Sequence, residues 1–279
     1  MKDIYNYFLL IRPLNVLVSG LAMIISAAIL DSLDQESMVI LVVLVVMAYT
    51  AGANSINDVL DLEIDKVNQP LRPIPSKNIK KNKALIFSFL LFSGGSVLSL
   101  QLPSSAYFIS IVISMPLMVI YSTHLKSKPL IGNIAVSFII GLSFIFCGTV
   151  FENVHPMWTP CLLAFSLTLI RELTKDIADL EGDKIAKHNT YPIKYGIKSA
   201  IKLISFLSCV VCLVALVPYI NNTYNDWYLT ILLIGVEIPL IIVVVLLTRN
   251  QTISSAVLSS KILKFSTIMG LSAIYTGSL

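Results

Sequence analysis

The sequence predicts an all-α integral membrane protein that crosses the bilayer nine times and contains a parallel internal repeat. The first observation behind this prediction is composition. Hydrophobic residues make up 56% of the 279 positions and charged residues only 13%, whereas a soluble domain is typically about 45–50% apolar and about 25% charged. The mean hydropathy of +0.84 agrees with a membrane protein. The other two observations are the spacing of the apolar runs and the positions of the lysines and arginines.

Nine apolar runs are each long enough for a membrane-spanning helix, which needs roughly 20 largely apolar residues. Proline, glycine, asparagine, aspartate and lysine residues occupy the breaks between these runs, as is typical of loops. We therefore interpret residues 1–279 as a single transmembrane domain. Its predicted spans lie near 14–31, 37–56, 84–102, 105–122, 130–151, 157–173, 200–220, 227–247 and 261–279.

The basic residues predict the orientation of the chain. With the N-terminus inside, all 20 lysines and arginines fall in inner segments or close to the same membrane face. The short outer connections contain none and carry acidic residues: Asp31, Asp34, Glu36, Glu152 and Asp226. An excess of basic residues marks the cytoplasmic side of a membrane protein. We therefore expect a multi-pass protein of the cell membrane with a cytoplasmic N-terminus and an external C-terminus.

A row of aspartates follows the second apolar run. Asp58, Asp61 and Asp65 have the spacing i, i+3, i+7. On one continuous helix these carboxylates would lie within an arc of roughly 60° and span about 10 Å along the axis. Such a row suits a divalent cation, and Mg²⁺ is usually held by one or two carboxylates together with substrate phosphates.

The same spacing returns after the sixth apolar run, in Asp176, Asp179 and Asp183. Two solvated acidic helix starts are the alternative interpretation, but they would not predict a matched spacing. A parallel repeat favours a functional site between the halves. Six carboxylates brought together there would repel one another, so we expect cations between them. Both motifs are predicted to lie at the cytoplasmic face.

This combination of groups favours a substrate with a diphosphate head and a long hydrocarbon tail. Mg²⁺ and nearby basic side chains can hold a diphosphate and neutralise the charge that develops on it as a leaving group. Apolar helices can supply a dry cavity, which an allylic carbocation needs because water would otherwise capture it. A nucleophile bound beside the cation would then be alkylated.

The aspartate motifs and the apolar spans resemble those of a known family. The N-D-x-x-D-x-x-x-D stretch from Asn57 to Asp65, the second aspartate motif and the nine spans are similar to the UbiA superfamily of intramembrane prenyltransferases. The R-P-x-N stretch from Arg12 to Asn15 is also similar to that family. The resemblance covers nearly the whole chain. It implies a helical bundle around a central cavity, Mg²⁺ bound through both aspartate motifs, and a lateral opening to lipid.

Four further segments are most similar to the archaeal branch of this superfamily that makes ether lipids: 52–58, 72–76, 121–133 and 171–183. That similarity implies Mg²⁺-dependent transfer of a geranylgeranyl group from geranylgeranyl diphosphate to geranylgeranylglyceryl phosphate. The reaction forms the second ether bond of archaeal membrane lipids and releases diphosphate. The implied partners are the prenyl diphosphate, the lipid acceptor and the bilayer. Neither a nucleic acid nor a protein partner is expected.

The candidate residues fall into two sets. The six aspartates are the predicted metal ligands and catalytic residues: Asp58, Asp61, Asp65, Asp176, Asp179 and Asp183. The predicted substrate-binding residues are Asn15, Asn54, Asn57, Arg72, Tyr121, Lys126, Arg171 and Lys175. Ordinary positive-inside charge is the alternative for the basic residues, and helix capping or interhelical bonding is the alternative for the asparagines. Many family members have Y-x-x-x-K after the fourth span, whereas here Leu125 holds that position and the lysine is Lys126.

Two alternatives stay open. Within the same superfamily, the acceptor could be aromatic, such as a hydroxybenzoate or naphthoate, or it could be haem. From a different class, a transporter of an anionic substrate also has internal repeats and polar residues in its spans, although the ionisable residues here gather at one face. Glu237 is a mid-span carboxylate without an assigned role. Gly94 and Gly95 are expected to allow close helix packing.

Overall fold

The computed structural model describes the backbone of residues 2–279 and the side chains from residue 4 onward, so the predicted cytoplasmic terminus Met1 lies outside the described residues. Every regular element in the described part is helical, which confirms the all-α class. Two of the long helices contain π-helical segments, at Phe108–Ser114 and Tyr121–Leu125 in one and at Leu233–Glu237 in the other. The helices, numbered in chain order, are α1 (Lys2–Leu10), α2 (Pro13–Ile29), α3 (Glu36–Leu60), α4 (Leu62–Asn68), α5 (Lys81–Ser99), α6 (Ser104–Leu125), α7 (Ile131–Val150), α8 (Trp158–Ala178), α9 (Leu180–Ile185), α10 (Tyr191–Tyr195), α11 (Ile197–Ile220), α12 (Asp226–Arg249) and α13 (Ile253–Ser278).

Seven helices of the described chain are long and apolar enough to cross a membrane: α3, α5, α6, α7, α11, α12 and α13. Helices α1 and α2 add an eighth if the pair, which is bent by 60°, counts as one span. The predicted span at 157–173 corresponds to α8, which does not meet the same criterion. The reason is that Arg171, Glu172, Lys175 and Asp176 lie in its last two turns. The multi-pass class is confirmed, and the count of nine is not.

The chain divides into two compact units, and α7 contributes residues to both. The first unit runs to Leu125 and includes residues 142–155. In it α3 packs between α2 and α5. A Cβ atom added at Gly95 would lie 2.7 Å from the ring of Tyr49, whereas one added at Gly94 would meet nothing within 4 Å. Close packing through glycine is therefore confirmed for Gly95 and wrong for Gly94.

The last residue of α1 fixes this helix to the unit near the C-terminal end of α3. Leu10 is fully buried in a cluster that includes Val59 and Ile79, and Tyr7 packs edge-to-face on Phe87 with ring centroids 4.9 Å apart. Because α2 starts at the proline that follows Arg12, the chain turns sharply between the two helices. This turn brings the predicted R-P-x-N stretch next to the end of α3.

The second unit comprises residues 126–141 and 156–279, and α8 packs in it against α11 and α13. Ile170, Leu173 and Ile177 have no exposed surface. Their spacing of three and four residues places them on one face of the helix. Arg171 and Lys175 lie off that face and are half-buried. The apolar face of α8 thus fixes the angular position of the charged residues at its end.

Candidate functional site

The first aspartate motif lies where α3 meets α4. The prediction of one continuous helix is wrong, because α3 ends at Leu60 and α4 begins at Leu62. Asp61 lies between them with φ −85° and ψ 11°, in the bridge region of the Ramachandran map that many active-site residues adopt. The amide of Asp61 still donates to Asn57 (2.8 Å), and the amide of Asp65 donates to Asp61 (2.8 Å). The motif is therefore a helical turn that is bent at its middle aspartate.

The second motif has the same local backbone. Asp179 separates α8 from α9 with φ −93° and ψ 8°. Its amide donates to Lys175 (2.8 Å), and the amide of Asp183 donates to Asp179 (3.0 Å). The match extends to a longer sequence pattern that the aspartate spacing alone did not reveal. Both segments read D-x-x-D-L-E-x-D-K, at 58–66 and at 176–184.

Arginines neutralise the buried carboxylates of the first motif. Asp58 and Asp65 are 1% and 4% exposed. The Arg12 guanidinium donates to Asp58, and Arg72 Nη1 lies 2.7 Å from both carboxylate oxygens of Asp65 and 3.3 Å from Asp58 Oδ1. Burial raises the pKa of Asp65, and Arg72 partly offsets that rise. Asp61 is also buried.

Arg12 was absent from the predicted site, and its signal was the R-P-x-N resemblance. Its distance of 46 positions from Asp58 made the pairing invisible in the sequence. The predicted substrate ligand Arg72 contacts carboxylates in this structure, so an incoming diphosphate would compete with Asp65 and Asp58 for its guanidinium.

A buried glutamate of the second unit, Glu172, lies among basic side chains. Glu172 is 9% exposed. Its carboxylate accepts from Arg171 Nη1 at 3.0 Å and from Lys175 Nζ at 3.0 and 3.3 Å. Lys126 lies within electrostatic reach of both Glu172 and Asp179. The three predicted substrate-binding residues of this unit thus lie near one carboxylate, that of Glu172.

Two further side chains support the aspartates of the second motif. Asn133 Nδ2 donates to Asp176 Oδ2 at 2.9 Å, and His188 Nδ1 lies 3.5 Å from Asp183 Oδ1. Neither was predicted, although Asn133 belongs to one of the segments that carried the resemblance. His188 is brought back to Asp183 by a turn through Lys187, whose φ is +57°. Burial raises the pKa of Asp179, and Lys175 counteracts that rise.

The remaining predicted ligands differ in their surroundings. Asn54 Nδ2 donates to the backbone oxygen of Ile11 at 2.8 Å, so the Asn54 side chain joins α3 to the segment between α1 and α2. Asn57 Oδ1 is buried without a hydrogen-bond partner. Asn15 and Tyr121 are half-buried, and the backbone N–H of Asn15 donates to the Arg12 carbonyl oxygen at 2.9 Å.

These donors suit a hard divalent cation that arrives with its substrate. Among the described residues, no group of three or more histidine, cysteine, aspartate or glutamate side chains could hold a metal ion by itself. The buried Asn57 Oδ1 has no hydrogen-bond partner and can only accept, and Asn57 directly precedes Asp58 in α3. Mg²⁺ prefers oxygen donors and completes its coordination with water and phosphate oxygens. The residues therefore fit Mg²⁺ bound together with a diphosphate, and they do not form a complete cage.

Comparison with known proteins agrees with this arrangement. The model of the UbiA prenyltransferase family matches residues 15–268. The chain therefore belongs to the UbiA prenyltransferase family, and it is a membrane-embedded prenyltransferase.

Individual relatives cover the full chain. The digeranylgeranylglyceryl phosphate synthase of Methanosphaera stadtmanae is 34% identical over 273 residues, which is 98% of this chain and 99% of that protein. A solved structure concerning digeranylgeranylglyceryl phosphate synthase in membranes is 33% identical with a TM-score of 0.78, and it covers 100% of this chain and 99% of its own. A UbiA homologue from Archaeoglobus fulgidus bound to GPP and Mg²⁺ is 15% identical with a TM-score of 0.69, covering 96% and 99%. At that identity it supports the fold alone.

Proposed function

We propose that this protein transfers a geranylgeranyl group from geranylgeranyl diphosphate to geranylgeranylglyceryl phosphate, with Mg²⁺ as cofactor. The observation that carries the proposal is the duplicated D-x-x-D-L-E-x-D-K turn, in which each copy joins partly or fully buried carboxylates to nearby cations. Mixed carboxylates and cations suit a diphosphate that brings its own metal. The likeness to digeranylgeranylglyceryl phosphate synthases over almost the whole chain supports the lipid acceptor.

In the proposed reaction, the bond between C1 of the prenyl chain and the diphosphate oxygen breaks, and diphosphate leaves with the bonding electrons. A new bond forms between C1 and the free glyceryl hydroxyl oxygen, whose proton is released. Mg²⁺, held by the aspartates of both motifs and by Asn57, would supply positive charge to the diphosphate. Arg12 and Arg72 would add hydrogen bonds to its oxygens, and charge-assisted bonds of this kind are the strong ones.

The cation cluster around Glu172 is proposed to bind phosphate oxygens as well. Arg171 and Lys175 contact the Glu172 carboxylate, and Lys126 lies within electrostatic reach of it, so three cations lie close together. Tyr121 and Asn15 are proposed to line the prenyl and phosphate sites. The apolar spans would exclude water from the carbocation, which protects it from hydrolysis.

The wider organisation follows the same proposal. We infer one functional domain over residues 1–279, in which α8 acts as the ninth span despite its charged end. The matched motif turns support an internal repeat. The distribution of basic residues supports a cytoplasmic N-terminus, an external C-terminus and a reaction at the cytoplasmic face of the cell membrane. The bilayer, the prenyl diphosphate and the acceptor lipid are the proposed partners.

Product analysis tests the proposal. Purified protein would receive Mg²⁺ and radiolabelled geranylgeranyl diphosphate, with geranylgeranylglyceryl phosphate or a hydroxybenzoate as acceptor in parallel reactions. We expect label in the glyceryl phosphate ether, and no transfer when EDTA is present. Label that enters only the aromatic acceptor would overturn the lipid assignment. Absence of transfer to both acceptors, with no release of pyrophosphate, would contradict the proposed reaction.

Matched variants test the aspartate motifs. We expect Asp58→Ala and Asp176→Ala to lower kcat by at least about a hundredfold, because each removes a carboxylate from the proposed charge-stabilising site. Glu63→Ala and Glu181→Ala are the controls, because these glutamates occupy equivalent motif positions and are exposed. Both controls should keep near-normal turnover. Normal turnover in either aspartate variant would contradict the assignment of that motif.

A further inference from the structure

The turn at Arg12 has a backbone conformation that its own residues do not favour. Arg12 has φ 54° and ψ 72°, in the left-handed region that side-chain-bearing residues rarely adopt. The residue before a proline is normally extended, and Pro13 follows directly. Contacts elsewhere in the fold must therefore hold this turn in place.

Two contacts at the residues just before Arg12 supply that support. Leu10 is fully buried in the cluster with Val59 and Ile79. One residue later, the Ile11 backbone oxygen accepts a hydrogen bond of 2.8 Å from the side-chain amide of Asn54. Asn54 is itself buried, so water competes little for this bond.

Asn54 and Asp58 are four residues apart in α3, which places them on the same face of the helix. One face therefore holds the carbonyl that precedes Arg12 and also the carboxylate that the Arg12 guanidinium contacts. If the Asn54 bond were lost, the turn could relax toward an ordinary conformation and the guanidinium would move away from Asp58.

Arg12 also has an unused donor. Its Nε is buried and has no hydrogen-bond partner, although the guanidinium contacts Asp58. Arginine presents its donors in a planar fork that suits phosphate oxygens, so the Nε–H would gain a partner if a ligand oxygen reached this guanidinium.

We propose that Asn54 is a positioning residue, whose amide holds the Ile11 carbonyl so that the left-handed turn keeps Arg12 on Asp58 and ready for a diphosphate. Asn54 thus acts through Arg12 and does not contact substrate, in contrast to the role that the sequence suggested. The diphosphate part of this inference rests on the proposed function.

A double-mutant cycle tests the inference in full-length protein in lipid nanodiscs. The variants are Asn54→Ala, Arg12→Ala and the two combined, and the probe is inorganic pyrophosphate with Mg²⁺, measured by calorimetry. Ser88→Ala is the matched control, because Ser88 Oγ also ties a neighbouring helix to α3 through a backbone oxygen, that of Gly52, at 2.9 Å. It touches neither Arg12 nor Asp58. The melting temperature of each ligand-free variant, with EDTA present, is the second readout.

We expect Asn54→Ala and Arg12→Ala each to weaken pyrophosphate binding by about tenfold or more, the loss typical of a charge-assisted hydrogen bond. In the Arg12→Ala background, Asn54→Ala should cause little further loss, because coupled residues are not additive. Ser88→Ala should lower the melting temperature but leave the affinity within about twofold. Additive losses, or equal losses in Asn54→Ala and Ser88→Ala, would overturn the inference.

The second readout separates this inference from the proposed function. If the unaltered protein binds no pyrophosphate, the proposed diphosphate site fails, and the melting temperatures alone decide whether Asn54 positions Arg12. A fall in melting temperature in the double variant that is smaller than the sum of the two single falls supports the positioning role. Additive shifts, with Arg12 and Asn54 acting independently, refute it.

Discussion

Replacing Arg72 with alanine removes the cation that contacts both carboxylate oxygens of Asp65. Asp65 is 4% exposed, whereas Asp58 keeps its contact with Arg12. Breaking a fully buried ion pair costs about 3–5 kcal/mol, because one charge is left without compensation. The Arg72 side chain is 28% exposed, so solvent screens part of this charge. We therefore expect a loss of about 2–3 kcal/mol.

The assay is the melting temperature of purified protein in detergent with EDTA. A loss of this size should lower that temperature by about 4–10 °C for a chain of this length. Lys66→Ala is the control, because Lys66 pairs with Glu63 at 2.7 Å on the same short helix, and the two side chains are 52% and 69% exposed. Such an exposed pair contributes about 0–1 kcal/mol, so a shift below about 3 °C is expected.

The pH dependence identifies the cause of the destabilisation. Burial raises the pKa of Asp65, and Arg72 offsets that rise in part, so Arg72→Ala should raise it further. For a carboxyl group whose pKa is higher in the folded protein, the stabilisation is present below the unfolded value, about 3.9, and is lost as pH rises through the folded value. The deficit of Arg72→Ala should therefore be smaller near pH ~5 than near pH ~8. Adding Asp65→Asn to Arg72→Ala should restore most of the stability. A stability deficit that changes neither with pH nor on addition of Asp65→Asn would refute this reasoning.

Two further substitutions test the packing and the second charge cluster. Gly95→Ala places a Cβ atom 2.7 Å from the Tyr49 ring and should lower the free energy of unfolding by about 1–3 kcal/mol. Gly94→Ala meets nothing within 4 Å and should leave the stability unchanged or raise it by up to about 1 kcal/mol. Thermal melts of both variants compare them, and equal shifts in melting temperature would contradict the packing role of Gly95. Glu172→Gln removes the negative charge that pairs with Lys175 at 3.0 Å. Because a hydrogen bond between charged groups contributes about 1.5–3 kcal/mol, KM for the prenyl diphosphate or the acceptor should rise about tenfold, with a smaller effect on kcat. Steady-state kinetics measure both constants, and an unchanged KM would contradict the positioning of Lys175 by Glu172.

The sequence predicted those features that depend on composition and regular spacing. Long apolar runs and clustered basic residues define a multi-pass helical protein whatever the details of packing. The bends at Asp61 and Asp179 were not predictable, because the backbone hydrogen bonds of a helix continue across each of them. The shared D-L-E-x-D-K extension indicates only that the two turns are alike, and a comparison restricted to aspartate spacing overlooks it.

Pairings between distant residues were equally inaccessible from spacing. Arg12 reaches Asp58 only because α1 is fixed by Leu10 and the chain turns at a left-handed residue. Asn133 lies 43 positions from Asp176. Such contacts depend on tertiary packing, which sequence periodicity does not encode.

The charge balance of the first motif bears on how a diphosphate would bind. Crowded carboxylates were expected to need cations between them, and Arg12 and Arg72 compensate Asp58 and Asp65 in the protein itself. A buried charge left without such a partner would be strongly destabilising, so the motif can fold without metal. Binding of Mg²⁺ and diphosphate would then exchange one set of ion pairs for another, with the arginines moving from carboxylates to phosphate oxygens. Because exchange gains only the difference between the two sets, moderate affinity and ready release of diphosphate are expected from the same residues that make the free protein stable.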